Sequence, residues 1–110
     1  MFGRKKRRWV PARGTVIDSR VAKAKVYDDA GTSITREFVV EVRPPAGEAF
    51  RATVGPPRSS DFLDPRVGAD VKVEFDAQSG DVRFDMSDES ISLKAHERAA
   101  KAAFDAKRTA

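Results

Sequence analysis

The chain has 110 residues, no cysteine and a formal charge of +4, which bounds it to one domain without disulfides or thiolate metal sites. Charged residues make up 35% and hydrophobic residues 40%; this balance suits a soluble folded body with polar extensions, excludes a wholly disordered chain and leaves no apolar run long enough to span a membrane. The charge is unevenly spread, with +6 on residues 1–13, −5 on residues 14–90 and +3 on residues 91–110.

The chain starts with a basic tail, residues 1–10, that reads as flexible. Arg4, Lys5, Lys6, Arg7 and Arg8 are contiguous and are flanked by Phe2 and Trp9. The tail looks like the charged start of a signal peptide, but no apolar stretch follows it. The expectation is therefore an unprocessed, cytoplasmic protein, with a peripheral place at the inner membrane as the variant that the tail favours.

Period-two alternation then points to half-buried strands. Gly14 to Ser19 starts the first, and the pattern resumes from Val21 to Tyr27. Asp28-Asp29-Ala30-Gly31 is a turn signal. The clearest strand is Glu37 to Arg43, with Phe38, Val40 and Val42 on one face and Glu37, Glu41 and Arg43 on the other. Pro44-Pro45-Ala46-Gly47 ends it, and Ala49 to Val54 returns as a hairpin partner. Residues 55–68 form a long loop, pinned by Phe62 and Leu63 and expected to be the most mobile part of the body. Val71 to Asp76 and Val82 to Met86 complete the set around a turn at Gln78-Ser79-Gly80-Asp81. The result is an all-β reading: a small antiparallel barrel of five or six strands, OB-like, over residues 11–86. Its predicted core is Phe38, Val40, Val42, Phe50, Val54, Val71, Val73, Phe75, Val82 and Phe84.

Residues 87–110 read as a C-terminal helix. Ser87-Asp88-Glu89-Ser90 offers oxygen-bearing caps and early acids, and Ile91 to Lys107 has no Gly or Pro and is rich in alanine. Its apolar stripe is thin, so the helix either docks weakly through Ile91, Leu93 and Phe104 or frays.

Three stretches together resemble a widespread bacterial, actinobacterial-type β-domain family of unknown function. They are Pro11 to Ile17, Phe38 to Val42 with Gly47 to Thr53, and Val67 to Asp76. The last is similar to a Gly-x-x-Val-x-Val-x-Tyr-Asp-Pro closing strand, with Phe75 in the aromatic place and Ala77 where proline is usual. The resemblance implies a small barrel, no catalytic residues to carry over, and a setting near membranes.

Chemistry finds little footing in the residues. The single histidine, His96, lies on the predicted helix beside Glu97 and Arg98 and reads as a surface residue rather than a base. Asp28-Asp29 and Asp85 to Glu89 lack calcium-loop spacing and read as turn and cap residues. No phosphate loop, metal set or cofactor motif is present, and no small-molecule substrate is evident. The chain therefore reads as a non-catalytic binding or scaffold module. Its contact residues are Arg4, Lys5, Lys6, Arg7, Arg8 and Trp9, directed at an anionic membrane surface or a protein partner. The alternative is weak, sequence-independent nucleic-acid binding, which the acidic body supports less. The plainest reading of the tail is a solubilising start with Trp9 packed on the barrel.

Overall fold

The computed structural model describes residues 8–27 and 31–108. Five strands, β1 (Trp9–Tyr27), β2 (Gly31–Arg43), β3 (Phe50–Val54), β4 (Asp70–Asp76) and β5 (Val82–Phe84), precede one helix, α1 (Leu93–Arg108). The strands form one antiparallel sheet in the order β3-β2-β1-β4-β5. The sheet curls until its two edges, β3 and β5, approach each other, yet those edges share no hydrogen-bonded ladder. This is the order of a partly open, five-stranded Greek-key barrel, so the mainly β, barrel-like fold with a C-terminal helix is present.

The alternation in sequence dictates which side chains fill the curl. Val16 on β1, Phe38, Val40 and Val42 on β2, Val54 on β3, Val71 and Val73 on β4 and Phe84 on β5 are all buried. Gly14 sits on the central strand where β2 and β4 close in from both sides. A Cβ there would lie 2.6 Å from Val40 Cγ1 and 3.5 Å from Val73 Cγ1. Gly14→Ala is therefore expected to destabilise the fold by about 1–3 kcal/mol through overpacking, read as a lowered urea midpoint. A midpoint at or above that of the parent chain would show that the β-branched neighbours yield freely.

Three predicted core residues, Phe50, Phe75 and Val82, are only half-buried. They gather at the end of the barrel where β1 begins and β4 turns into β5: Phe75 pairs with Val10 on one side and Val82 on the other. Phe50 meets Phe75 edge to face at 5.8 Å. The opposite end is capped. There Phe62, from the loop after β3, lies 6.2 Å from Phe38 and 5.3 Å from Phe84, and Ile91 is buried beside the core. Phe62 thus pins the long loop as predicted, whereas Leu63 points outward, 41% exposed.

The first two strands run much further than alternation indicates. β1 begins at Trp9, inside the predicted tail, because β4 supplies a ladder from Trp9↔Asp76 to Thr15↔Asp70. It also continues unbroken to Tyr27, and β2 starts at Gly31 rather than Glu37. Register shifts at Ile17 and Ala22 are bulges that disturb the period-two pattern without ending the strand. β4 reaches β1 only as far as Thr15, and β3 pairs with β2 only from Phe38 to Val42. Beyond Ser19 and Phe38 the two strands therefore pair with each other alone, as a projecting two-stranded ribbon.

The helix starts at Leu93, not Ile91, because Ile91 is taken by the core. Ser92 is its N-cap: its hydroxyl accepts from Ala95 N–H at 3.2 Å. The predicted caps serve elsewhere. Asp85 accepts from the Ser87 N–H and hydroxyl, and Asp88 ties the segment back to β4. None of the helix residues is buried.

Candidate anionic-contact site at the start of β1

Arg4, Lys5, Lys6 and Arg7 lie outside the described residues. Arg8 is exposed and leads directly into β1. Trp9 is the first residue of that strand and is half-buried. Its position is held twice. Its backbone pairs opposite Asp76, and Arg83 of β5 lays its guanidinium over the indole, with Cζ 4.1 Å from the ring centroid. Arg83 is oriented in turn by Glu74, its direct cross-strand partner, through Nε donating to Oε1 at 3.0 Å. The Trp9 ring is thus covered on one face by a cation and fixed in a sheet, and the five contiguous basic residues root at that point.

The adjoining turn is built to stay closed. Asp76 is buried; its carboxylate accepts from Gln78 N–H at 2.9 Å and its carbonyl from Gly80 N–H at 2.8 Å. Gly80 has φ 77°, a left-handed geometry that glycine adopts without strain.

Elsewhere the outer barrel face neutralises itself. Arg20 and Glu37, Glu41 and Arg51, and Glu74 and Arg83 are directly opposed across strands and form ion pairs. Arg43 donates to Thr15 Oγ1 at 2.7 Å and reaches Asp70 at 3.4 Å, joining β2, β1 and β4. Exposed pairs of this kind contribute about 0–1 kcal/mol each, but they leave little net field for a distant anion. The outer side of β2 and β3, which barrels of this order use for oligonucleotides, carries Glu37, Val39, Glu41, Arg51 and Thr53 and no aromatic ring.

At the other end, Asp61 in the long loop clamps the start of α1. It accepts from the Ser92 hydroxyl at 2.9 Å and Lys94 N–H at 3.4 Å, while its carbonyl accepts from Leu93 N–H at 2.9 Å. The Ser92 hydroxyl, the main cause, and the Lys94 N–H hold the Asp61 carboxyl below its ordinary pKa. Sequence reasoning missed this latch because 31 residues separate Asp61 from Ser92. It also missed Arg83 as the partner of Trp9, which only the β4–β5 register reveals.

His96 is exposed on α1. The acids at Asp28-Asp29 lie outside the described residues. Among the described residues no three His, Asp or Glu side chains gather as a metal set, and no helix is long and apolar enough to cross a membrane. Comparison with known proteins found no matching family model and no significantly similar curated protein or solved structure.

Proposed function

We propose that this chain is a non-catalytic module that docks on an anionic membrane surface through Arg4, Lys5, Lys6, Arg7 and Arg8. The observation that carries this reading is the fixed root of the basic run: Trp9 is locked into β1 under Arg83, while the charges of the barrel face are paired across strands. Arg8, the last residue of the basic run, thus enters the fold at one defined end of a body that is itself acidic. Trp9 serves here as the anchor of the segment to the fold, not as a ring free to enter the headgroups. The resemblance of residues 11–86 to bacterial β-domains near membranes leans the same way and suits a peripheral position at a cytoplasmic membrane face. Weak, sequence-independent nucleic-acid binding is the second reading; it draws on the same five contiguous basic residues.

Co-sedimentation separates the two. Vesicles of phosphatidylcholine with about one-third phosphatidylserine are expected to carry the chain down at low salt, and pure phosphatidylcholine is not. Each basic residue near such a surface contributes on the order of 1 kcal/mol, so deleting residues 1–8 is expected to weaken binding at least about 1,000-fold. Binding to a single-stranded oligonucleotide and not to the anionic vesicles overturns the membrane reading in favour of the second. A response to neither overturns both.

A further inference from the structure

The start of α1 is fixed to the barrel. Ile91, just before it, is buried beside the core. The Leu63 N–H donates to the Ile91 carbonyl at 2.8 Å, and the Ser92 hydroxyl donates to the Asp61 carboxylate at 2.9 Å. These contacts set the direction in which the helix leaves the body and the side that it turns outward. Within the helix only Ala95, Ala99 and Asp105 are half-buried, and the other residues are exposed.

That burial is the inverse of an ordinary surface helix, which turns its large apolar side chains inward. Leu93 and Phe104 are 43% and 66% exposed, while the half-buried Ala95 and Ala99 lie on the other side of the helix. At about 100° per residue, Leu93, Ala100 and Phe104 fall within about 40° of arc and form one outward stripe. Cations border it: Lys107 on one side, Lys101 and Arg108 on the other, each within about 80° of its centre. The helix holds Lys94, Arg98, Lys101, Lys107 and Arg108 against only Glu97 and Asp105. Glu97 stands four residues before Lys101, and Asp105 is paired with Arg108 at 3.9 Å.

Resting on the membrane reading above, we propose that α1 lies in the plane of an anionic membrane as a second contact of the module, with Leu93 and Phe104 inserted at the headgroup level. A stripe of large apolar side chains bordered by Lys and Arg suits that interface in both respects. Its rings and methyls enter the acyl boundary, while the long basic side chains reach back to the phosphates. A nucleic acid would meet the cations but leave Leu93 and Phe104 in water. The stripe is short, so the helix alone binds weakly and reversibly. Joined in one chain to the basic run, it adds the second signal that stable anchoring takes.

Phe104→Ala puts the best helix former in place of the ring. It is expected to leave far-UV circular dichroism unchanged and to weaken binding to the phosphatidylcholine–phosphatidylserine vesicles about tenfold. Phe104→Trp reads insertion directly, by difference from the parent, whose single tryptophan is Trp9. The added indole is expected to shift to the blue on those vesicles and to be quenched by brominated acyl chains. A parent chain that does not bind the vesicles overturns the membrane reading and the role of α1 with it. A parent that binds, with Phe104→Ala binding equally and the added indole unquenched, overturns the role of α1 alone. An added indole that is already shielded before vesicles are present shows that protein covers the stripe, and overturns it too. So does an indole that responds to single-stranded oligonucleotide and not to vesicles.

Discussion

Phe38→Ala is expected to be the most damaging single truncation in the barrel, lowering stability by about 3–5 kcal/mol and the melting temperature by more than about 12 °C. Phe38 is 1% exposed and meets the rings of Phe84 at 5.5 Å and Phe62 at 6.2 Å, both edge to face. It is also the residue at which the ribbon, the plug and the β2–β3 ladder converge. Its loss leaves a cavity that the β-branched neighbours are too stiff to fill. Phe75→Ala is the informative control. By alternation alone the two phenylalanines look equivalent, but Phe75 is half-buried at the end where β1 begins, and its truncation is expected to cost about half as much. Thermal melts of the two variants side by side decide the matter. Equal losses would mean that the end holding Phe50, Phe75 and Val82 is closed in solution.

The second large effect is at Asp88, an acid that sequence reading assigned to a helix cap. Its side chain is buried and instead accepts from Lys72 N–H at 2.8 Å, Ser90 N–H at 2.9 Å and the Ser90 hydroxyl at 2.8 Å. It satisfies an edge of β4 and closes the turn before α1 at once. Burial by itself would raise the Asp88 pKa, but these hydrogen bonds and the nearby Lys72 charge outweigh it and hold the carboxyl below its ordinary value of 3.8. Asp88→Ala orphans two backbone donors and is expected to destabilise the fold by about 3 kcal/mol near neutral pH.

The sign of the pH dependence follows from the lowered pKa. A carboxyl depressed in the folded state contributes its full stability above the unfolded value, and loses it as pH falls through the folded one. The gap between parent and Asp88→Ala urea midpoints should therefore be constant near neutrality and narrow below about pH 4. Asp61, lowered for a similar reason, adds to the parent's acid sensitivity in the same window. A gap that does not change with pH would show that Asp88 acts by packing rather than as a charged acceptor.

The barrel was legible because its inward residues announce themselves. Val40 and Val42, and Val71 and Val73, alternate with charged or polar residues, and each pair is buried. The ends of strands were not legible. Ile17 and Ala22 are bulges, and each shifts the alternation by one residue, so one strand of 19 residues looks like two short ones. The stretch of β2 before Glu37 did not read as strand because it lies beyond Phe38, the last residue that β3 pairs with, and so carries little of the inward alternation. At the helix, local propensity correctly located the segment but not its first turn. The buried side chain of Ile91 and the distant Asp61 decide where the helix begins, and neither follows from neighbours in sequence. At the basic end, the run Arg4 to Arg8 was plain, whereas the role of Trp9 depended on Arg83, 74 positions away and brought close only by the order of β1, β4 and β5.

β1 carries the basic run at one terminus and the ribbon at the other as a single covalent strand. Tension applied between those two termini travels along peptide bonds rather than across hydrogen-bonded ladders. The barrel is then a collar threaded on a taut cord: β2 and β4 close on the cord from both sides at Gly14, while the load passes through.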